Sequence, residues 1–129
     1  TMQIHQSAED YLETILMLNQ RMGRVRSIDV VNELGYTKAS VSIAMKKLRE
    51  NGYIAVDGEG NLTLLEPGRE IAERIYSRHR LLTHFFVQLG VDEEIAAEDA
   101  CKAEHILSEQ TLEKIREYAL LHDAQDSVK

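Results

Sequence analysis

Cys101-Lys102-Ala103-Glu104-His105 lies in a segment whose apolar pattern reads as helix. Positions i, i+3 and i+4 of a helix share one face. A thiol, a carboxylate and an imidazole therefore project together about a turn apart, and all three are ligand types for transition metals. Asp10 and Glu13 are likewise three residues apart and share a face of the first helix. With one cysteine in the chain, no internal disulfide can form, so Cys101 is a thiol with coordination or redox chemistry open to it.

The elements that must carry these residues follow from apolar periodicity and stop signals. Ser7 and Asp10 read as the N-cap and N3 of a first helix, and Leu12, Ile15, Leu16 and Leu18 form its apolar face to about Gly23. A second helix runs Ser27 to Leu34 with Gly35 as its stop. Thr37 caps a third, whose buried stripe is Val41, Ala44, Met45 and Leu48 and whose end is Asn51-Gly52. Two β-prone runs, 53–56 and 61–65, flank Asp57-Gly58-Glu59-Gly60, which suits a tight hairpin. Pro67 opens a long helix to Leu89, ended by Gly90; Asp92 caps a fifth helix to about Leu107, and Ser108 a sixth reaching Leu121.

Two helices joined by a glycine-containing turn and followed by a hairpin form the winged variant of the helix-turn-helix. The expected fold is mainly α: a winged helix-turn-helix DNA-binding domain over 1–72, then a helical metal-binding and dimerisation domain over 73–129. With the stripe facing inward, the third helix turns Lys38, Ala39, Ser40, Ser42, Ile43, Lys46 and Lys47 outward. Small residues and hydroxyls from Thr37 to Ser42 allow close approach to a groove, and the lysines add salt-dependent, sequence-neutral affinity. Arg24 and Arg26 flank the second helix, where they can grip the phosphate backbone, and Ser27 at its start is a further DNA-binding candidate. A solvated lysine face is the plainer alternative.

Charge distribution agrees with a nucleic-acid partner although the net charge is −7. Residues 21–49 carry a balance of +5 and residues 81–129 a balance of −7, as expected for a DNA-contacting part joined to an acidic sensing part. No apolar run approaches the about 20 residues a bilayer span requires, and the N-terminus has no signal-peptide pattern. The expected location is the cytoplasm, with no membrane partner. Thr1-Met2 reads as a remnant ahead of the natural start, so Thr1 is given no role.

Five stretches then carry a family likeness: Glu9-Asp10-Tyr11-Leu12-Glu13, Ser40-Val41-Ser42, Arg78-His79-Arg80-Leu81-Leu82, Gly90-Val91-Asp92-Glu93-Glu94, and Cys101 to His105. From Ser7 to about Leu121 the sequence resembles the diphtheria toxin repressor family of metal-dependent transcriptional regulators, nearest to its short manganese transport regulator branch. The resemblance implies a divalent cation, Mn2+ or Fe2+, held by Asp10, Glu13, His79, Cys101, Glu104 and His105. It also implies a homodimer bound to a pseudo-palindromic operator, repressing genes of metal uptake, and no enzymatic activity. Ile106, Leu107, Leu112, Ile115, Tyr118, Ala119 and Leu121 offer apolar surface for the dimer.

The chain departs from both branches of that family. Cys101 stands where the manganese branch generally has a carboxylate, and Asp10 where the iron branch has a methionine. Thr83 and Ala97 replace the carboxylate and histidine of the iron branch's accessory site, leaving His84 and Glu98 as spare candidates. Singly, each ligand has a plainer role: Asp10 in a cap, Glu13 solvated, His79 at an interface, Cys101 as a small buried hydrophobe, and Glu104 with His105 as a surface pair. Two other functions stay open, a winged-helix regulator sensing oxidation of Cys101 and, further off, a small metalloenzyme.

Overall fold

The computed structural model describes residues 6–128, with side chains through residue 124. Thr1 therefore lies outside the described residues. The order is α1 (Gln6–Met22), α2 (Ser27–Leu34), α3 (Lys38–Glu50), β1 (Ile54–Val56), β2 (Leu62–Leu64), α4 (Glu66–Gln88), α5 (Glu93–Ala103) and α6 (Glu109–Val128). The chain divides into two compact units, and the division falls inside α4 between Arg74 and Ile75. Among the described residues, no helix is long and apolar enough to cross a membrane.

In the first unit, α1 packs on α2, α3 and β2, while α3 packs on α2 and β1. Leu12, Ile15, Val30, Val41, Leu48, Ile54 and Leu62 form its buried centre. The turn between α2 and α3 is three residues long and starts at Gly35, whose φ of 72° is the left-handed conformation that glycine adopts without a Cβ penalty. Thr37 caps α3 by accepting from the Ser40 backbone N–H at 3.1 Å. Ser7 is no cap, because helix is already present at Gln6 and Ser7 lies in the first turn.

The strands pair antiparallel with Ile54 opposite Leu64 and Val56 opposite Leu62, so the inward-facing Ile54, Leu62 and Leu64 are buried. The residues just before α2 extend this ribbon: Leu62 N–H donates to the Val25 carbonyl at 2.7 Å, and Arg26 bridges to Asn61. No local sequence signal announces that third edge. α4 begins close against the ribbon, where Gly68 meets the Tyr53 backbone. A Cβ on Gly68 would stand 2.2 Å from the Tyr53 carbonyl oxygen, so Gly68→Ala must displace backbone. It is expected to lower stability by about 2 kcal/mol, measured by urea denaturation.

The second unit is built on Leu82, Ala100 and Leu112, with Leu81, Phe86, Ala103, Leu107 and Ile115 packed against them. This revises the expected dimer surface. Leu112 and Ala119 are buried within the unit, whereas Ile106, Tyr118 and Leu121 are exposed, as is Leu120. α5 also ends earlier than its apolar pattern suggests, at Ala103 rather than Leu107. Asp92 occupies its N-cap position but makes no side-chain cap bond, while Ser108 caps α6 by accepting from Thr111 N–H at 3.2 Å. α6 continues past Leu121 to Val128.

Candidate metal centre and nucleic-acid interface

Four of the six expected ligands belong to the second unit, and it brings them together. His79 comes from α4 and Cys101 from α5, whereas Glu104 and His105 sit in the turn just beyond α5. Glu104 keeps helical dihedrals (φ −59°, ψ −22°) and its N–H still bonds to the Ala100 carbonyl at 2.9 Å. The one-face relation of Cys101 and Glu104 therefore survives the end of the helix.

Glu104 is fully buried (0% exposed). Its Oε2 lies 3.0 Å from His79 Nδ1, and its Oε1 lies 3.4 Å from His105 Nε2, on a ring that is itself 1% exposed. Cys101 Sγ, on an exposed residue, is 3.7 Å from the same His79 nitrogen. Hydrogen bonding to Cys101, and then to Glu104, outweighs partial burial and pushes His79 up to about 10. The cluster is thus arranged around positive charge, which His79 supplies by keeping its proton. A divalent cation that accepts nitrogen, sulfur and oxygen donors fits the same set, as it would take the proton's place against a buried carboxylate.

Arg78, to which the local sequence pattern assigns no role, holds this turn. It donates to the Glu104 backbone carbonyl at 3.2 Å and pairs with Glu109. Asp10 and Glu13 lie on α1 in the first unit, Asp10 half-buried and Glu13 buried. Thr83 spends its hydroxyl on the His79 carbonyl at 2.8 Å. His84 pairs with Asp123 of α6 at 3.0 Å, and Gln88 donates to the same carboxylate at 2.8 Å. Asp123 was missed because 39 residues separate it from its partner.

In the first unit, the outward face of α3 consists of Lys38, Ala39, Ser40, Ser42, Ile43, Lys46 and Lys47, all exposed, opposite buried Val41, Met45 and Leu48. Thr37 donates to Ser40 Oγ at 2.8 Å, so these two hydroxyls form a linked pair rather than two independent contacts. Lys46 lies 4.0 Å from Glu50, a loose exposed pair that leaves it available to phosphate. Arg24 and Arg26 are exposed and Ser27 is half-buried beside the hairpin turn. In that turn Asp57 accepts from the backbone N–H groups of Glu59 and Asn61 at 2.9 Å and from the Asn61 amide at 3.0 Å. Those bonds, Asn61's backbone first and its side chain next, hold the Asp57 carboxyl below its usual range and keep the turn folded near Arg26.

Comparison with known proteins agrees with both halves. Residues 3–62 match the iron-dependent repressor N-terminal DNA-binding domain, and residues 65–121 match the iron-dependent repressor metal-binding and dimerisation domain. An HTH-type transcriptional regulator of Methanocaldococcus jannaschii is 36% identical over 86% of this chain and 90% of its own length. The HTH-type transcriptional regulator MntR of Bacillus subtilis is 32% identical over 95% of this chain and 87% of its own. A solved manganese-dependent transcriptional repressor in complex with manganese superposes with a TM-score of 0.79 at 28% identity, over 87% of this chain. The IdeR structure of T. acidophilum shares the fold at a TM-score of 0.79 and 23% identity. This chain spans about half the length of those two structures, 52% and 55%.

Proposed function

The chain belongs to the iron-dependent repressor family of metal-dependent transcriptional regulators, and from that premise we propose that it represses metal-uptake genes when loaded with Mn2+ or Fe2+. In this reading a homodimer binds a pseudo-palindromic operator, presenting two α3 helices to successive major grooves about 34 Å apart or a multiple of it. Its role is regulatory rather than catalytic, and its place of work is the cytoplasm. The domain assignment is DNA binding over 1–72 and metal binding with dimerisation over 73–129.

The observation that carries the reading is the convergence of His79, Cys101 and His105 around buried Glu104. These four hold the cation, and Asp10 and Glu13 of α1 complete the ligand set by resemblance. When bound, the ion would supply positive charge to the Glu104 carboxylate, which otherwise faces the protonated His79 ring. Glu104 bonds to the His79 ring and faces the His105 ring at 3.4 Å, and Arg78 holds the turn that carries Glu104. Because both units contribute ligands in this reading, metal loading and operator binding form one coupled equilibrium, and DNA must tighten metal binding by the same factor. The thiol of Cys101 favours the softer Fe2+, whereas the carboxylates suit Mn2+.

The test is operator binding titrated anaerobically with Mn2+ and with Fe2+, beside a His79→Ala, Glu104→Ala double variant. Affinity should rise with either ion in the wild type and stay flat in the variant; a metal-independent wild type would refute the reading. A second reading, oxidation of Cys101 as the trigger, draws support from the exposure of that thiol and its contact with His79. It predicts operator affinity that follows peroxide and ignores added metal.

A further inference from the structure

We propose that Ile43 reads thymine in the operator, its aliphatic end meeting the C5-methyl group of one thymine in each half-site; this rests on the DNA-binding reading above. Ile43 lies on the outward face of α3 and is 59% exposed, while the stripe of Val41, Met45 and Leu48 is buried. A β-branched side chain lowers helix propensity slightly and, at this exposure, contributes little to the core. Elsewhere a single exposed isoleucine means little. Here it stands one helical turn beyond Ala39 and Ser40 and one turn before Lys46 and Lys47.

Each neighbour on that face has a different competence. The lysines meet phosphates, which carry no sequence information. Ser42 is an exposed hydroxyl that suits any base edge, and Ser40 is linked to Thr37 at 2.8 Å. Ile43 has neither donor nor acceptor. Against a guanine, cytosine or adenine edge it would leave polar groups desolvated and unpaired. In the major groove the thymine methyl is the one apolar feature of a base edge, so Ile43 discriminates by chemistry where its neighbours do not. Ala39 and Ser40, small and exposed, let the helix come close enough for a methyl contact.

The experiment uses the full chain with Mn2+ to select from a random-sequence duplex library. Each thymine of the selected duplex is then replaced by deoxyuridine, which lacks only the methyl group. One symmetric pair of positions should lose affinity about fourfold when one half-site is changed and about fifteenfold when both are. Ile43→Ala should bind thymine and deoxyuridine duplexes alike while keeping the wild-type Tm. Ile43→Gln should shift the preferred base at that position towards adenine, which glutamine can engage in a bidentate pair. The proposal is overturned if deoxyuridine has no effect at any position, or if Ile43→Ala keeps the wild-type ratio between the two duplexes. Failure of the Mn2+-loaded chain to enrich any sequence would overturn the operator-binding reading itself, and this inference with it.

Discussion

The outward face of α3 and the cluster around Glu104 spend their side chains in opposite ways. The α3 face is exposed: three lysines, two serines, one alanine and one isoleucine share it, and its ion pair, Lys46 with Glu50, is a loose 4.0 Å. The cluster is small and largely dry, with one carboxylate at 0% exposure reaching two imidazoles. Charged contacts removed from water are stronger, and costlier to leave unpaired, than the same contacts at a surface. Substitutions should therefore act in graded steps on the α3 face and nearly all-or-none at the cluster.

The largest effect should come from Glu104→Ala. It strips the buried carboxylate from beside half-buried His79 and from His105 and should lower the stability of the metal-free chain by about 3 kcal/mol, as well as abolishing the response of DNA affinity to Mn2+. Urea denaturation and an operator titration measure the two parts; a variant as stable and as responsive as wild type would break the comparison. Next in size is the cap of α3. Thr37→Ala should cost about 1 kcal/mol and weaken DNA binding without altering metal affinity, measured by denaturation and calorimetry.

The pH dependence of the cluster has a definite sign. His79 is raised from 6.5 to about 10, so its proton stabilises the metal-free fold fully below 6.5, and that contribution is lost as pH rises towards 10. A metal must displace the same proton. Mn2+ uptake near pH 7.5 should therefore release protons into weakly buffered solution, and metal affinity should climb with pH. In His79→Ala the proton release should drop; an unchanged release would assign the proton elsewhere. The smallest effect belongs to the α3 face: Lys47→Ala should weaken binding to all duplexes alike and reduce the salt slope of log K by about 1. A selective loss for one sequence would sharpen the comparison by moving Lys47 from phosphate to base contact.

Legibility differed between these regions for local reasons. The span of α3 could be read because its cap, its 3.6-residue stripe and its glycine-flanked turns are short-range signals, and Val41, Met45 and Leu48 are buried as that periodicity requires. The end of α5 was misread because Leu107 continues the apolar pattern. Apolar type records packing, and Leu107 packs half-buried against the Leu82–Ala100–Leu112 core from a turn, not from a helix. The same blindness placed Leu112 and Ala119 on a dimer surface when both are already buried within the single chain, Leu112 in the core of its own unit.

Sequence alone determined the helix order, the exposed face of α3 and the spacing of Cys101, Glu104 and His105, because each depends on residues within a turn or two of one another. Tertiary structure decided what those residues meet. His79 joins Glu104 across 25 positions, Arg78 holds the Glu104 turn across 26, and His84 finds Asp123 across 39. Such pairings depend on how helices pack, and one strand of text carries no direct record of packing. Packing then brought Cys101 and Glu104 to one ring nitrogen of His79, and those hydrogen bonds, outweighing the partial burial that works against the charge, hold its proton to about pH 10.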